Sequence, residues 1–138
     1  MATPIDDTDV LIELRRSRPN AAVHAWMLAQ DPAEIFIAAV SIGEIQRGID
    51  AARKHGEAEG AERDKWLDDL CRTHQVIAAD APIMRIWARL AGARAAERSN
   101  DALIAATALH HGLTVATRNT KVFLPYGVLV TNPWRAAR

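Results

Sequence analysis

The stretch Asp101-Ala102-Leu103-Ile104-Ala105-Ala106-Thr107-Ala108-Leu109-His110-His111-Gly112-Leu113-Thr114-Val115-Ala116 decides the fold. From Ala102 to Leu109 it is apolar on nearly all sides, which marks a helix buried against a sheet. Ser99 or Asn100 can cap that helix, and Gly112 can close it. Leu113–Ala116 then read as a buried strand. A buried helix running straight into a short apolar strand is the unit from which α/β folds with a mainly parallel sheet are built.

The same alternation extends outward in both directions. Upstream, Asp80 can cap a helix reaching about Ala96, and Val76-Ile77-Ala78 is a short strand. Asp50 to Asp69 is rich in charge and alanine and carries Gly56 and Gly60, so it reads as a peripheral helical pair within about residues 50–73. Trp66, Leu67 and Leu70 would anchor it. Before it, Ser41-Ile42-Gly43-Glu44 opens a helix and Glu34–Ala38 is a buried strand. Asn20 can cap a helix over Ala21–Gln30, with Val23, Trp26 and Met27 at i, i+3, i+4. A helix over Val10–Arg16 is broken by Pro19. Ile5 lies in a very short first strand ending at Asp6-Asp7. Downstream, Val128-Leu129-Val130 completes the strands. The expectation is three layers: a central sheet of four or five short strands with helices on both faces.

The chain has 138 residues, 49% of them hydrophobic and 25% charged. That fits one globular domain spanning residues 1–138. Lys and Arg number 17 and Asp and Glu 17, so the formal net charge is zero. Nucleic-acid binding through bulk positive charge is excluded, although balance in total leaves separation in space open. Cys71 is the one cysteine, so no disulfide framework or thiolate metal cluster is expected. The five histidines show no i, i+4 pairing, which argues against zinc. The N-terminus lacks a signal-peptide pattern, and no run reaches the roughly 20 apolar residues of a membrane span. A cytoplasmic location is the expectation.

In open α/β sheets, ligands gather at the carboxyl ends of the strands. Asp6, Asp7 and Asp9 follow the first strand, and Glu44 comes one helical turn beyond the second. Thr117, Arg118 and Asn119 follow the fourth, and Asp101 opens a helix. If these meet, the site is a cluster of carboxylates without histidine, a donor set that suits Mg²⁺ or Mn²⁺. Without a cation such acids raise one another's pKa.

These segments, read in order, resemble the PIN-domain ribonucleases, and within them the VapC/FitB-like toxins. Asp7-Thr8-Asp9-Val10-Leu11-Ile12-Glu13-Leu14 is similar to the family's opening D-T-N-V-L-S-E-L. Ser41–Ile49 is similar to its second acidic block, Asp101–Ala108 to its third, Thr117-Arg118-Asn119-Thr120-Lys121 to its fourth, and Asn132-Pro133-Trp134 to its usual ending. The blocks keep family order from residue 7 to residue 134. The resemblance implies that Asp7, Glu44 and Asp101 are catalytic and metal-binding, with Glu44 acting through metal-bound water. It implies an Mg²⁺- or Mn²⁺-dependent endoribonuclease, the toxin of a type II toxin–antitoxin pair. It also implies partners: a small DNA-binding antitoxin, an RNA substrate such as tRNA, and a second copy in a homodimer. No membrane partner is implied.

The chain departs from the family at three places. Val122 stands where the fourth acid, the aspartate of T-R-N-x-K-D-F, is usual. Asp9 replaces the usual asparagine, and Asp6 replaces an apolar strand residue. The loss at 122 would reduce metal affinity. The alternative function is therefore a catalytically degenerate PIN domain that binds RNA or antitoxin. Asp9, Thr117 and Asn119 are expected to support the site from behind the ligands. Arg15, Arg16, Arg47 and Arg118, with Arg18 beside them, are candidate phosphate contacts.

Each of these residues has a plainer reading. Asp7 could cap a helix. Ser41 and Glu44 have capping-box spacing. Asp101 suits any helix N-terminus. Asp80 is read as a cap alone, and Asp6 as bonding locally or repelling its neighbours. The arginine run could be a solvated helix end, and Trp26, Trp66 and Trp87 core or dimer-interface residues. Asp7-Thr8-Asp9 also matches the D-x-D of haloacid-dehalogenase phosphatases, but Leu11 stands where they need Thr or Val. A response-regulator receiver would need its phospho-acceptor earlier than Asp80.

Overall fold

The computed structural model describes residues 3–91 and 99–135, without the side chains of Ala91 and Ser99. Five strands form one sheet: β1 (Pro4–Asp6), β2 (Phe36–Ala38), β3 (Gln75–Ile77), β4 (Thr114–Ala116) and β5 (Val130–Thr131). Their order is β3-β2-β1-β4-β5, and every pairing is parallel. The helices are α1 (Thr8–Arg15), α2 (Ala21–Leu28), α3 (Ala39–Arg53), α4 (Glu57–Thr73), α5 (Ala81–Ala91), α6 (Ser99–His111) and α7 (Thr120–Phe123). This is the three-layer α/β architecture expected from the alternation of apolar strands and helices.

Side-chain alternation along each strand sorts the layers. Ile5, Ala38 and Val115 point to one face and join Ala102, Ile104, Ala105 and Ala108 of α6 in the largest core cluster. Ala116 points to the other face, with Val10 of α1 and Val23 of α2. Ile37 joins Leu11, Ile45, Ile49, Leu67 and Leu70, which ties α3 and α4 to the sheet. The alanines of α6 bring its axis close to the strands, which is why that helix reads as apolar all round.

Several boundaries differ from the sequence reading. α1 starts at Thr8, two residues early, because Asp7 occupies the N-cap and accepts from the Thr8 amide. α2 ends at Leu28 rather than Gln30. β2 begins at Phe36 because Pro32–Glu34 form a 3₁₀ turn capped by Asp31. α3 begins at Ala39 with no side-chain cap, so the Ser41–Glu44 capping box does not form. The last strand is Val130–Thr131 rather than 128–130: Val115 and Ala116 fix its register, and Leu129 is largely exposed.

The peripheral pair is the end of α3 with α4, broken around Gly56. Gly60 lies inside α4, where a Cβ would come within 2.8 Å of Arg53 Nε, so the glycine permits close approach of the two helices. Asp80 caps α5 as expected, its Oδ1 accepting from the Ile83 amide. The expected helix end at Ala96 lies outside the described residues. Trp26, Trp66 and Trp87 each pack against a core cluster.

Ile104 is fully buried between α6 and the sheet, whereas Ile12 on α1 is 40% exposed. Ile104→Ala is expected to cost about 2–5 kcal/mol in urea unfolding. Ile12→Ala should change stability by less than about 1 kcal/mol.

Candidate active site

The chain runs β1, β2, β3 to one side and then returns to place β4 on the other side of β1. The β1–β4 boundary is therefore the switch point of the sheet, where a crevice opens beyond the strand ends. Asp6 pairs with Ala116 across it, and the Asp7 amide continues the ladder to the Ala116 carbonyl at 2.9 Å. The next residue on each chain, Asp7 and Thr117, stands at the mouth of the crevice.

Thr117 is fully buried and acts as the hub. Its Oγ1 donates to Asp7 Oδ2 at 2.8 Å and lies 3.5 Å from Asp9 Oδ2. The Asn119 amide donates to the same hydroxyl at 3.0 Å. Asp7 Oδ1 accepts from the Thr8 amide at 2.8 Å. Asp9 Oδ2 accepts from the Arg118 amide at 3.0 Å, so Asp9 holds the loop after β4. Thr8 Oγ1 donates to Glu44 Oε1 at 2.9 Å, which links the first acidic segment to α3. Thr8 was not singled out from sequence, although its place inside the D-T-D string was the available signal.

The electrostatics follow from burial. Asp7 is pushed up to about 7, chiefly by desolvation and then by the charge of Asp9; hydrogen bonds from Thr117 and Thr8 oppose the shift, and Asp101 adds to it. Burial also raises Asp9, against the Arg118 amide. Asp6 rises well above the carboxylate range through desolvation, then through Asp9 and Asp7. It is fully buried, and neither of its oxygens has a protein hydrogen-bond partner. The local bond allowed for Asp6 therefore does not form; repulsion by its neighbours is what remains. Strand alternation places it on the apolar face of Ala116, where a neutral acid is favoured.

The remaining residues take varied positions. Asp101 lies in the first turn of α6, near enough to Asp7 to raise its pKa. Asn119 reaches the site through its backbone rather than its side chain. Val122 on α7 packs against the large core cluster and offers no polar side-chain atom. Arg118 lies over the Trp134 ring, with its guanidinium carbon 5.2 Å from the centroid. Arg16 pairs with Glu13, and Arg15 lies over Trp66. Arg47 and Arg18 are exposed.

The donor set consists of oxygens alone, the chemistry of a hard divalent cation. Among the described residues, no group of three His, Cys, Asp or Glu is gathered tightly enough to hold an ion together. Mg²⁺ commonly takes one or two carboxylates and keeps several waters, so Asp7 with Asp101 is a sufficient protein share. Asp9 also has a buried Oδ1 without a partner. The residues fit such an ion.

The PIN domain family matches residues 6–126 of the chain. The plasmid stability protein StbB of Pseudomonas syringae pv. tomato is 35% identical over 136 residues, covering 94% of this chain and 97% of its own. The VapC ribonuclease Y4jK of Sinorhizobium fredii is 32% identical, covering 95% and 97%. Among solved structures, FitAcB from Neisseria gonorrhoeae superposes with a TM-score of 0.81 at 29% identity, over 96% of this chain and 99% of that one.

The raised acids make the metal-free fold sensitive to pH. Asp7 titrates near 7 when folded, against about 3.9 when unfolded. Between those values the folded state holds the extra proton, so stability falls as pH rises from about 4 to 7. Thermal melts in EDTA should show Tm dropping from pH 5 to pH 8. Asp7→Asn should flatten that slope; an unchanged slope would show that Asp7 does not carry it.

Proposed function

The chain belongs to the PIN-domain family, and we propose that it is the toxin of a toxin–antitoxin pair, an endoribonuclease dependent on Mg²⁺ or Mn²⁺ and acting in the cytoplasm as one domain. The observation that carries this reading is the placement of Asp7, ordered by Thr117, at the switch point of the sheet, within electrostatic reach of Asp101. No helix among the described residues is long and apolar enough to cross a membrane.

Each residue has a physical task in this reading. Asp7 and Asp101 would hold the cation, and Glu44, fixed by Thr8, would orient a water at its edge. The ion supplies Lewis acidity toward the phosphoryl oxygen and a lowered pKa for water. Thr117 keeps Asp7 in one rotamer, and Asp9 fixes the loop that carries Arg118. Arg47 and Arg118, with Arg15 and Arg16 further along α1, would meet RNA phosphates. Since Arg16 also serves Glu13, its share would be smaller than that of Arg47.

A groove of about 480 Å³ lies between α1, α2 and α4, lined by Leu11, Leu14, Met27, Leu28, Trp66 and Leu70 among others. Its apolar lining suits a peptide segment of the antitoxin. The relatives support this partner, since FitAB and VapBC structures have been solved with DNA fragments. For the homodimer, α5 is the candidate surface, with Trp87 packed inward and Met84 exposed.

The packing of Val122 favours a second reading, a degenerate PIN domain that binds RNA or antitoxin without cutting. Purified chain, free of partner, should cleave tRNA with Mn²⁺ or Mg²⁺, and Asp7→Ala should reduce cleavage by at least about a hundredfold. Absence of cleavage by the parent chain would select the degenerate reading. Val122→Asp should tighten Mn²⁺ binding in calorimetry; unchanged affinity would show that position 122 does not limit the metal site.

A further inference from the structure

A second, smaller cleft opens on the far side of Glu44. Its volume is about 120 Å³, and its walls include Thr8, Arg15, Glu44, Gly48, Arg63 and Trp66. Thr8 and Glu44 are the hydrogen-bonded pair of the candidate active site, so the cleft and the acidic site share a wall. Two cations stand on the cleft, although it belongs to a region where most arginines are already paired.

The walls divide by chemistry. Arg15 lies over the Trp66 ring, with its guanidinium carbon 6.0 Å from the centroid. This contact holds one cation at the cleft by an aromatic face instead of a carboxylate. Arg63 is tied to Glu59 through one terminal nitrogen, while its Nε is buried without a hydrogen-bond partner. Ile45 and Ile49, both core residues, form the apolar floor. Gly48 leaves its side of the cleft open, since a Cβ built there meets nothing within 4 Å.

We propose that this cleft seats one nucleotide of the RNA, next to the phosphodiester held at Asp7. Single-stranded RNA is recognised by stacking bases on aromatic rings and guanidinium planes, with cations on the backbone. The Arg15–Trp66 stack and Arg63 supply both elements, and the cleft's size suits one base rather than a helix. The apolar groove lined by Leu11 and Leu28 has no arginine in its walls, which separates it from this role. The proposal rests on the ribonuclease reading and names where its substrate is gripped.

The experiment measures binding without chemistry. A short fluorescein-labelled RNA is titrated with the full chain in EDTA, which withholds the metal that cleavage requires, and read by anisotropy. Gly48→Leu fills the cleft from an open helix position, and Arg63→Met removes a cation while keeping the aliphatic stem. Each should weaken binding by about tenfold or more, with thermal melts unchanged for at least one of them. Parental affinity in both variants would overturn the proposal, as would failure of the parent chain to bind the RNA. Loss of antitoxin co-purification in Gly48→Leu with RNA affinity intact would also overturn it, by making the cleft a peptide site. Cleavage of tRNA by the parent chain decides the ribonuclease reading separately. A chain that binds through the cleft but never cuts would keep the subsite and lose the nuclease.

Discussion

The hydrogen bond from Thr117 Oγ1 to Asp7 Oδ2 spans 110 positions of sequence and joins the two central strands at their ends. It exists because β1 pairs with β4 in a register that places Asp6 beside Ala116. Shift that register by one residue and Asp7 turns to the opposite face, away from the crevice. The pairing itself depends on Ile5 and Val115, which are fully buried under the alanines of α6. The geometry of the acids is thus a consequence of how closely one small-residue helix lies on the sheet.

The acids are costly in the absence of a counter-charge. Asp6, Asp7 and Asp9 are all raised, with burial the largest cause in each. Thr117, Thr8 and the Arg118 amide offset part of that cost but none of them carries a formal charge to the site through these bonds. Elsewhere the protein neutralises its own charge: Arg53 reaches Asp50, Glu57 and Asp64, Arg63 reaches Glu59, and Arg72 reaches Asp69. A net charge of zero therefore conceals two populations, one paired along α3 and α4 and one left concentrated at the strand ends.

Much of this was legible from residue order, and the reasons are specific. Ala102–Ala108 could be read as buried because no polar residue but Thr107 interrupts it, and Thr107 satisfies itself on the Leu103 carbonyl. Asp7 and Asp101 could be placed because each sits at the start of a helix, Asp7 as the cap of α1 and Asp101 in the first turn of α6. The start of α3 was misread because Ser41 and Glu44 have cap spacing, yet Glu44 is taken by Thr8 and Ser41 is buried. The role of Thr8 depends on a contact 36 positions away, which its place between two aspartates hints at but does not specify. Asn119 was read for its side chain and contributes its amide, a distinction that composition does not carry. The last strand was misplaced because Leu129 is apolar, while exposure and register are set by β4.

The order of the strands also has a consequence for biosynthesis. β1 emerges first, but one of its two neighbours, β4, begins at Thr114. During translation, Asp7 and Glu44 leave the ribosome long before Asp101 and Thr117 exist. An incomplete chain can carry Asp6, Asp7, Asp9 and Glu44, yet it has no β4 to order them and no Thr117 to hold Asp7. The strand ends that carry the acids are thus assembled last, and a chain interrupted before residue 117 lacks the hydroxyl that holds Asp7. The order of synthesis therefore leaves the arrangement of the acids to the last quarter of the chain.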